Sequence, residues 1–131
     1  MFQWVALSRP DLQFPSKELA RSLKTPKTKD KARIKKTARY ARGTMDLMMR
    51  LVVKEDWPLE IVLVVDASHA QAADRKSTSG YFLFLQGLYI SSASKTQTVI
   101  AKSAAEAELI ALSTGVSEAM FLRELLRQIL Q

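Results

Sequence analysis

The chain contains no cysteine and a single histidine, His69. Without cysteine it cannot form disulfides or thiolate metal sites, and with one histidine it cannot build a multi-histidine zinc site. No apolar run approaches the roughly 20 residues that a membrane span needs. The first ten residues also lack the basic-then-apolar order of a secretory signal. We therefore expect an intracellular protein, in the cytoplasm or nucleus, with no membrane partner.

Acidic residues are scarce in the first part of the chain, and the net charge is +7. Residues 1–60 hold 14 Lys and Arg against 7 Asp and Glu, whereas residues 61–131 hold 6 of each sign. The surplus is concentrated between Lys17 and Arg42, where 11 basic residues stand against Glu18 and Asp30. A basic stripe of this kind suits a polyanion such as nucleic acid. An ordinary solvated helix surface gives the same pattern, so charge alone leaves both interpretations open.

The first 58 residues are predicted to be helical and irregular. Ser16 is a suitable N-cap for a short helix over Lys17–Leu23. A second helix is predicted from about Asp30 to Arg42, where Gly43 ends it. The apolar side chains of this second helix are few and small, so it needs a partner to pack against.

After a break at Trp57-Pro58 the pattern changes to short β-branched and aromatic runs. Three strands are predicted, at residues 61–65, 81–85 and 88–92. Gln86-Gly87 is predicted to form the hairpin turn between the last two strands. Polar loops are predicted at residues 66–80 and 91–98. From about Ser103 to Leu130 the spacing predicts a long helix, which Gly115 weakens or splits.

Two carboxylates stand in positions that suggest a function. Asp66 directly follows the apolar run 61–65, and an acid at the end of a buried strand is costly unless it is solvated, paired or metal-bound. A turn-forming Asp is the commoner explanation. Glu108 shares a helix face with small and apolar residues, whereas Glu106 falls on a solvent-like face. A strand-end Asp and a helix-face Glu can together hold a divalent metal such as Mg²⁺.

Several longer motifs resemble one known family. Residues 74–81, DRKSTSGY, resemble a block of copia-type retrotransposon ribonuclease H domains, as do residues 94–97, SKTQ, followed by residues 103–111, SAAEAELIA. Upstream, residues 9–14, 17–22 and 39–44 resemble the tail of the reverse transcriptase in the same Pol polyproteins. The blocks follow one another in the family's order and near its spacing, over nearly the whole chain.

The resemblance implies a fold and an activity. The implied α/β architecture is a basic helical segment over residues 1–58, similar to the reverse transcriptase tail or connection, and a partial ribonuclease H-like domain over residues 59–131. That domain would hold a three-stranded antiparallel sheet and a long helix. Ribonuclease H domains cleave the RNA strand of an RNA–DNA hybrid with a cluster of acids and two divalent metals. The family's first two acids match Asp66 and Glu108, the predicted catalytic and metal-ligating residues, with Mg²⁺ or Mn²⁺ as implied cofactor.

The resemblance also places two loops, residues 75–79 and 91–97, near the backbone of the hybrid. Hydroxyls and cations suit contacts with phosphates and 2′-hydroxyls. Taken with the basic stripe, the predicted nucleic-acid contacts are Arg75, Lys76, Ser77, Lys95, Lys35, Lys36 and Arg39.

The chain departs from the family in ways that bear on activity. In the family a third catalytic Asp follows on a further strand and a fourth acid lies beyond it, whereas no Asp follows Asp74 here. We therefore expect a truncated and catalytically incomplete ribonuclease H-like unit. Two other functions stay open: a nucleic-acid-binding module without chemistry, and an assembly protein whose apolar last helix is covered by another chain. His69 is expected in a solvent-facing loop rather than on a metal.

Overall fold

A computed structural model gives the structure of the chain and describes residues 2–53, 56–70 and 74–130. The chain divides into two compact units, Met1–Arg50 and Leu51–Gln131. The first is helical, and the second combines a sheet with a helix. Among the described residues, no helix is both long enough and apolar enough to cross a membrane.

The described residues of the first unit form three helices and a 3₁₀ turn. Helix α1 spans Phe2–Ser8, the 3₁₀ turn spans Pro10–Leu12, α2 spans Gln13–Arg21 and α3 spans Thr28–Gly43. The predicted capping role of Ser16 is wrong, because this residue lies inside α2 with its side chain buried. Helix α2 begins earlier than predicted because the 3₁₀ turn, which starts at Pro10, leads directly into it.

Helix α3 is capped by a buried carboxylate near its start. Asp30 Oδ2 accepts a hydrogen bond from the backbone N–H of Lys27 at 2.9 Å, and Oδ1 accepts one from the Ser22 hydroxyl at 3.1 Å. The first bond satisfies an N–H group that the helix itself cannot pair. The second joins the start of α3 to the end of α2. Asp30 is buried, so this one side chain both closes a helix and connects two helices.

The second unit is a three-stranded antiparallel sheet with one long helix against it. Strand β1 spans Ile61–Ser68, β2 spans Thr78–Leu85, β3 spans Leu88–Thr96 and helix α4 spans Ala104–Ile129. The strand order is β1-β2-β3, so each strand pairs with its neighbour in the sequence. The predicted α/β architecture of a three-stranded antiparallel sheet and a long helix is confirmed.

All three strands run further than predicted, and β2 begins at Thr78, three residues before the predicted start at 81. β1 continues through Asp66 to Ser68, so Asp66 lies within the strand and does not end it. β3 continues to Thr96, so most of the predicted loop 91–98 is strand. The reason is pairing: Thr78 of β2 lies opposite Ser68 on one side and opposite Thr96 on the other. Cross-strand hydroxyl pairs of this kind favour continued strands.

The predicted hairpin turn at Gln86-Gly87 is confirmed. Both residues have positive φ, 49° and 73°, as a two-residue type I′ turn requires. The ring of Trp57 covers the turn, since a β-carbon added to Gly87 would lie 1.5 Å from a ring atom. The side-chain amide of Gln86 donates to the carbonyl of Trp57 at 3.0 Å. The segment before β1 therefore holds the hairpin turn in place.

Helix α4 covers one face of the sheet. The core of the unit is formed by Tyr81, Leu83 and Leu122, with Ile61, Leu63, Val65, Leu85, Ala93, Ala119 and Leu126 packed against them. The helix residues nearest the strands are small, and Ala107, Ala111 and Gly115 are all buried. Small residues let a helix backbone approach a sheet closely.

Gly115 marks the closest approach. A β-carbon there would lie 2.9 Å from Val65 Cγ2 and 3.1 Å from Leu63 Cδ1. The prediction that Gly115 splits the helix is wrong, because α4 is continuous from Ala104 to Ile129. Packing against the sheet outweighs the low helix propensity of glycine.

The opposite face of the sheet is exposed. Val62 is 40%, Val64 52% and Phe82 43% exposed. The rings of Phe82, Phe84 and Tyr89 pack against one another with centroids 6.3 to 6.4 Å apart. An aromatic cluster therefore lies on the side of the sheet that α4 does not cover.

Replacing Gly115 with valine is expected to destabilise the second unit by roughly 2 kcal/mol, because overpacking a closed contact costs about 1–3 kcal/mol. Urea denaturation measures the change. Ser113→Val, on the exposed side of the same helix, is the matched control and should shift stability by no more than about 0.5 kcal/mol. Equal stability of the Gly115 variant and the parent would contradict the close approach.

Asp30 should titrate below its ordinary range. Its pKa is lowered first by the hydrogen bond from the backbone of Lys27, with Ser22 and Arg33 acting in the same direction. The ionised carboxylate therefore stabilises the fold above the ordinary value near 3.9, and this contribution is lost as pH falls through the lower folded-state pKa. In an NMR titration the Lys27 amide should show a midpoint below about 3.9, which Asp30→Asn removes. A midpoint at or above that value would exclude the cap.

Candidate functional site

Asp66 projects from the uncovered face of the sheet. It follows Val65, which faces α4, and successive side chains of a strand point to opposite faces. Its partner across the ladder is Gly80, which has no side chain, and Ser94 lies beyond Gly80 on β3. The carboxylate is exposed and makes no hydrogen bond or ion pair with any described residue. Asp66 is therefore open to solvent, and no described cation neutralises it.

Glu108 lies near the start of α4 and is also exposed. The residues of that turn that face the sheet are Ala107 and Ala111. The predicted packing face is thus confirmed at Ala111 and Gly115 but wrong at Glu108, since Ala107 lies under the sheet and Glu108 borders the contact. Within the described part of the chain its carboxylate has no partner. Asp66 and Glu108 extend from different layers of the unit, and the structure does not bring them into contact.

Glu106 was expected on a solvent-like face, but its side chain has a structural role. Ser103 Oγ accepts a hydrogen bond from the N–H of Glu106 at 3.1 Å, and the Glu106 carboxylate accepts one from the N–H of Lys102 at 2.6 Å. Together these bonds cap the N-terminus of α4. The Ser-x-x-Glu spacing at residues 103–106 is the sequence signal for this cap.

The described residues do not supply a complete metal site. Among residues 2–53, 56–70 and 74–130, no group of three or more His, Asp or Glu side chains could hold an ion. A two-metal centre places its ions about 3.5–4 Å apart. Two carboxylates in separate layers do not fit such a centre without further ligands.

The loop after β1 is built around a buried hydroxyl. Ser77 is completely buried, its Oγ accepts a hydrogen bond from the N–H of Ala70 at 3.2 Å, and it lies 3.4 Å from Nδ1 of His69. Ser77 therefore shapes the loop, and its side chain is not exposed for contact with the backbone of a nucleic acid. His69 is half-buried beside it and is not the solvent-facing residue that was predicted. Residues 71–73 of the predicted loop lie outside the described residues.

The other predicted contacts in the second unit differ in how freely they are displayed. Arg75 is exposed, in a left-handed conformation with φ of 56°. Lys76 is half-buried. Lys95 Nζ lies 3.3 Å from Glu118 Oε1 and 5.8 Å from the centroid of the Tyr81 ring. Lys95 therefore joins β3 to α4, whereas Arg75 remains open to solvent.

Gln97 connects the start of α4 to the sheet through hydrogen bonds, a role that was not predicted from the sequence. Its buried amide donates to Ser79 Oγ at 2.9 Å and to the carbonyl of Ala107 at 2.8 Å. Its backbone N–H donates to the carbonyl of Ser77 at 2.9 Å. Gln97 ends the SKTQ motif, so part of that motif serves the fold.

Helix α3 carries a basic surface that no described acid neutralises. Lys31, Lys35, Arg39 and Arg42 are spaced four, four and three residues apart, which places them on one side of the helix. All four are exposed, and none forms an ion pair with a described residue. These four residues are called the basic ridge below. The ridge includes the predicted contacts Lys35 and Arg39.

The apolar C-terminal end of α4 is only partly covered. Leu122 belongs to the core, but Leu125, Ile129 and Leu130 are exposed. The partner chain expected over this end of the helix stays a prediction.

Comparison with known proteins finds relatives much longer than this chain. The retrovirus-related Pol polyprotein from transposon RE2 of Arabidopsis thaliana is 30% identical over 128 residues, which are 97% of this chain and 9% of the relative. The corresponding polyprotein from transposon RE1 is 28% identical over 128 residues, 97% of this chain and 9% of the relative. An uncharacterized mitochondrial protein of the same plant is 27% identical over 117 residues, 88% of this chain and 48% of the relative.

The chain thus spans less than half the length of each of these relatives. No protein-family model matches it. No solved structure matches it either.

Proposed function

We propose that this chain, which is similar over nearly its whole length to a segment of copia-type retrotransposon Pol polyproteins, binds RNA–DNA hybrids as part of a ribonuclease H-like unit. The observation that carries the proposal concerns the two acids that match the family's motif, Asp66 and Glu108. Both are exposed, and neither is neutralised by a described residue. Their positions in the motif, and not their exposure alone, distinguish these two acids from other surface carboxylates.

The basic ridge supports the binding part of the proposal. From Lys31 to Arg42 the helix rises about 16 Å, which is long enough to meet several phosphates of one strand. No described acid neutralises the ridge, so its charge is available to a polyanion. Contacts of this kind depend on the backbone of the nucleic acid and not on its base sequence.

The two carboxylates support only part of the chemistry. In ribonuclease H-type hydrolysis, bound metal ions supply the activation of water and the stabilisation of the leaving oxygen. Asp66 and Glu108 would each contribute carboxylate oxygens, the ligands that Mg²⁺ and Mn²⁺ prefer. Because they lie in different layers, we infer that further acids, from a longer polypeptide or another chain, are needed for cleavage.

Binding to an RNA–DNA hybrid should weaken steeply with salt, and the basic ridge should set much of the slope. Each neutralised phosphate contributes about −0.9 to the slope of log affinity against log salt on B-form duplex. The Lys35→Gln/Arg39→Gln variant should therefore reduce the slope by about 2, measured by fluorescence anisotropy between about 50 and 200 mM salt. Arg123→Gln/Arg127→Gln on α4 makes the same change in net charge and should leave the slope unchanged. Equal slopes for both variants would remove the ridge from the interface.

The purified chain should bind a labelled RNA–DNA hybrid without cleaving it above background, in Mg²⁺ or in Mn²⁺, because its described residues do not fit two metal ions. Asp66→Asn and Glu108→Gln should then resemble the parent in a gel assay of RNA cleavage, with an active ribonuclease H showing that the substrate is sound.

The opposite result would be metal-dependent cleavage of the hybrid by the chain alone. Metal-dependent cleavage that Asp66→Asn abolishes, and that the exposed-acid control Glu60→Gln retains, would show that the chain's own acids suffice.

A further inference from the structure

A cleft of about 470 Å³ opens in the first unit between α2 and α3. Leu12 is completely buried and Leu19 nearly so, and they give the cleft an apolar floor. Phe14 lines it from the start of α2, and Thr37 and Tyr40 line it from α3. Its volume lies within the range of about 300–1,000 Å³ that is usual for small-molecule sites.

Two aromatic rings at this cleft are half-exposed, Phe14 at 52% and Tyr40 at 44%. The Tyr40 hydroxyl donates to Asp11 Oδ2 at 2.9 Å, and the Arg9 guanidinium holds the same carboxylate with bonds of 2.7 and 3.0 Å. The ammonium group of Lys17 lies 4.7 Å from the centroid of the Phe14 ring. Rings held by their neighbours lose little further freedom when a ligand binds, which lowers the entropic cost of association.

The charge around the cleft favours an anion. Its two acids are already paired, Asp11 with Arg9 at 2.7 Å and Glu18 with Lys17 at 3.0 Å. Lys36 lines the same cleft and has no ion-pair partner among the described residues. A surplus of positive charge therefore lies beside two accessible rings and an apolar floor.

We propose that this cleft binds one unpaired nucleotide of a nucleic-acid strand, with its base against Phe14 and Tyr40 and a phosphate near Lys36. Proteins that bind single strands combine a cationic groove for the backbone with aromatic rings on which bases stack. An acidic peptide would also satisfy Lys36, but the two accessible rings favour a ligand with a flat π face.

The inference rests on the proposed function and makes it more specific. The basic ridge lies on the same helix as Lys36 and meets phosphates of any strand. The cleft adds a preference for nucleic acid that offers an unpaired base, such as a hybrid with a single-stranded overhang, over a fully paired duplex.

The test compares a blunt RNA–DNA hybrid, the same hybrid with a short adenylate overhang, and one whose overhang is abasic, by fluorescence anisotropy at one salt concentration. The intact overhang should tighten binding by about 5- to 150-fold, the range for one stacked base. The abasic overhang should lose most of that gain. This comparison uses the unaltered protein, so it does not depend on any variant folding.

Substitutions test whether the gain in affinity from the overhang arises at the cleft. Phe14→Leu and Tyr40→Leu keep apolar volume but remove a ring, and each should lose the gain from the overhang while binding the blunt hybrid as the parent does. Tyr40→Phe keeps the ring and should keep the gain. Trp4→Leu removes an exposed ring that does not line the cleft and should also keep it.

The outcomes separate this inference from the proposed function. Binding of the blunt hybrid with no gain from the overhang overturns the cleft inference alone, and so does a gain that survives removal of the bases. Binding of the overhang hybrid alone supports the cleft and removes the ridge from the interface. If no oligonucleotide binds, both proposals fall. Displacement of the overhang by a polyglutamate peptide at lower concentration than by adenosine monophosphate would assign the cleft to acidic peptides.

Discussion

Helix α4 lies against the sheet through three residues with almost no side chain, Ala107, Ala111 and Gly115. Since the helix backbone comes so close, Leu63 and Val65 of β1 reach it directly at Gly115. The contact at Gly115 fixes which face of the sheet is turned toward α4. Because side chains alternate along a strand, one set must point at α4 and the other must point away. The core, the exposed aromatic cluster and the position of the acids all follow from it.

The alternation of side chains along the strands also bears on the two proposed roles of the chain, binding and cleavage. Asp66 falls on the side of the sheet away from α4, while Glu108 stands on α4 itself. The proposed cleavage, which would use both acids, would therefore need groups beyond the described residues. Binding does not, because the basic ridge and the cleft belong to the first unit and are formed by its own residues. The proposed binding of nucleic acid therefore does not depend on the proposed cleavage chemistry.

Local signals predicted much of the second unit. The turn at Gln86-Gly87, the long helix and the centres of the three strands are where the pattern placed them, and the similarity to the two transposon polyproteins confirms the predicted resemblance of the chain. The true extent of all three strands was missed because Thr78, at the start of β2, pairs with β1 and with β3, and the propensity of a single strand does not report such pairing. Residue spacing also did not show that Ala107, and not Glu108, packs against the sheet, since two neighbouring faces of the helix both contain small residues. The cleft joins residues 11–19 to residues 33–40, so no local pattern indicated it. The catalytic roles, the metal and the nucleic-acid contacts stay predictions.

Val62, Val64 and Phe82 give the sheet an exposed apolar surface, while a net charge of +7 repels one copy of the chain from another. Charge repulsion acts over about 10 Å in 0.1 M salt and about 3 Å in 1 M salt, whereas attraction between apolar surfaces persists under both conditions. Added salt therefore erodes the colloidal stability of the free protein while it also releases bound polyanion. A nucleic acid seated on the first unit would remove the same repulsive charge. The solubility of the complex is then governed by the phosphates that the protein leaves unneutralised.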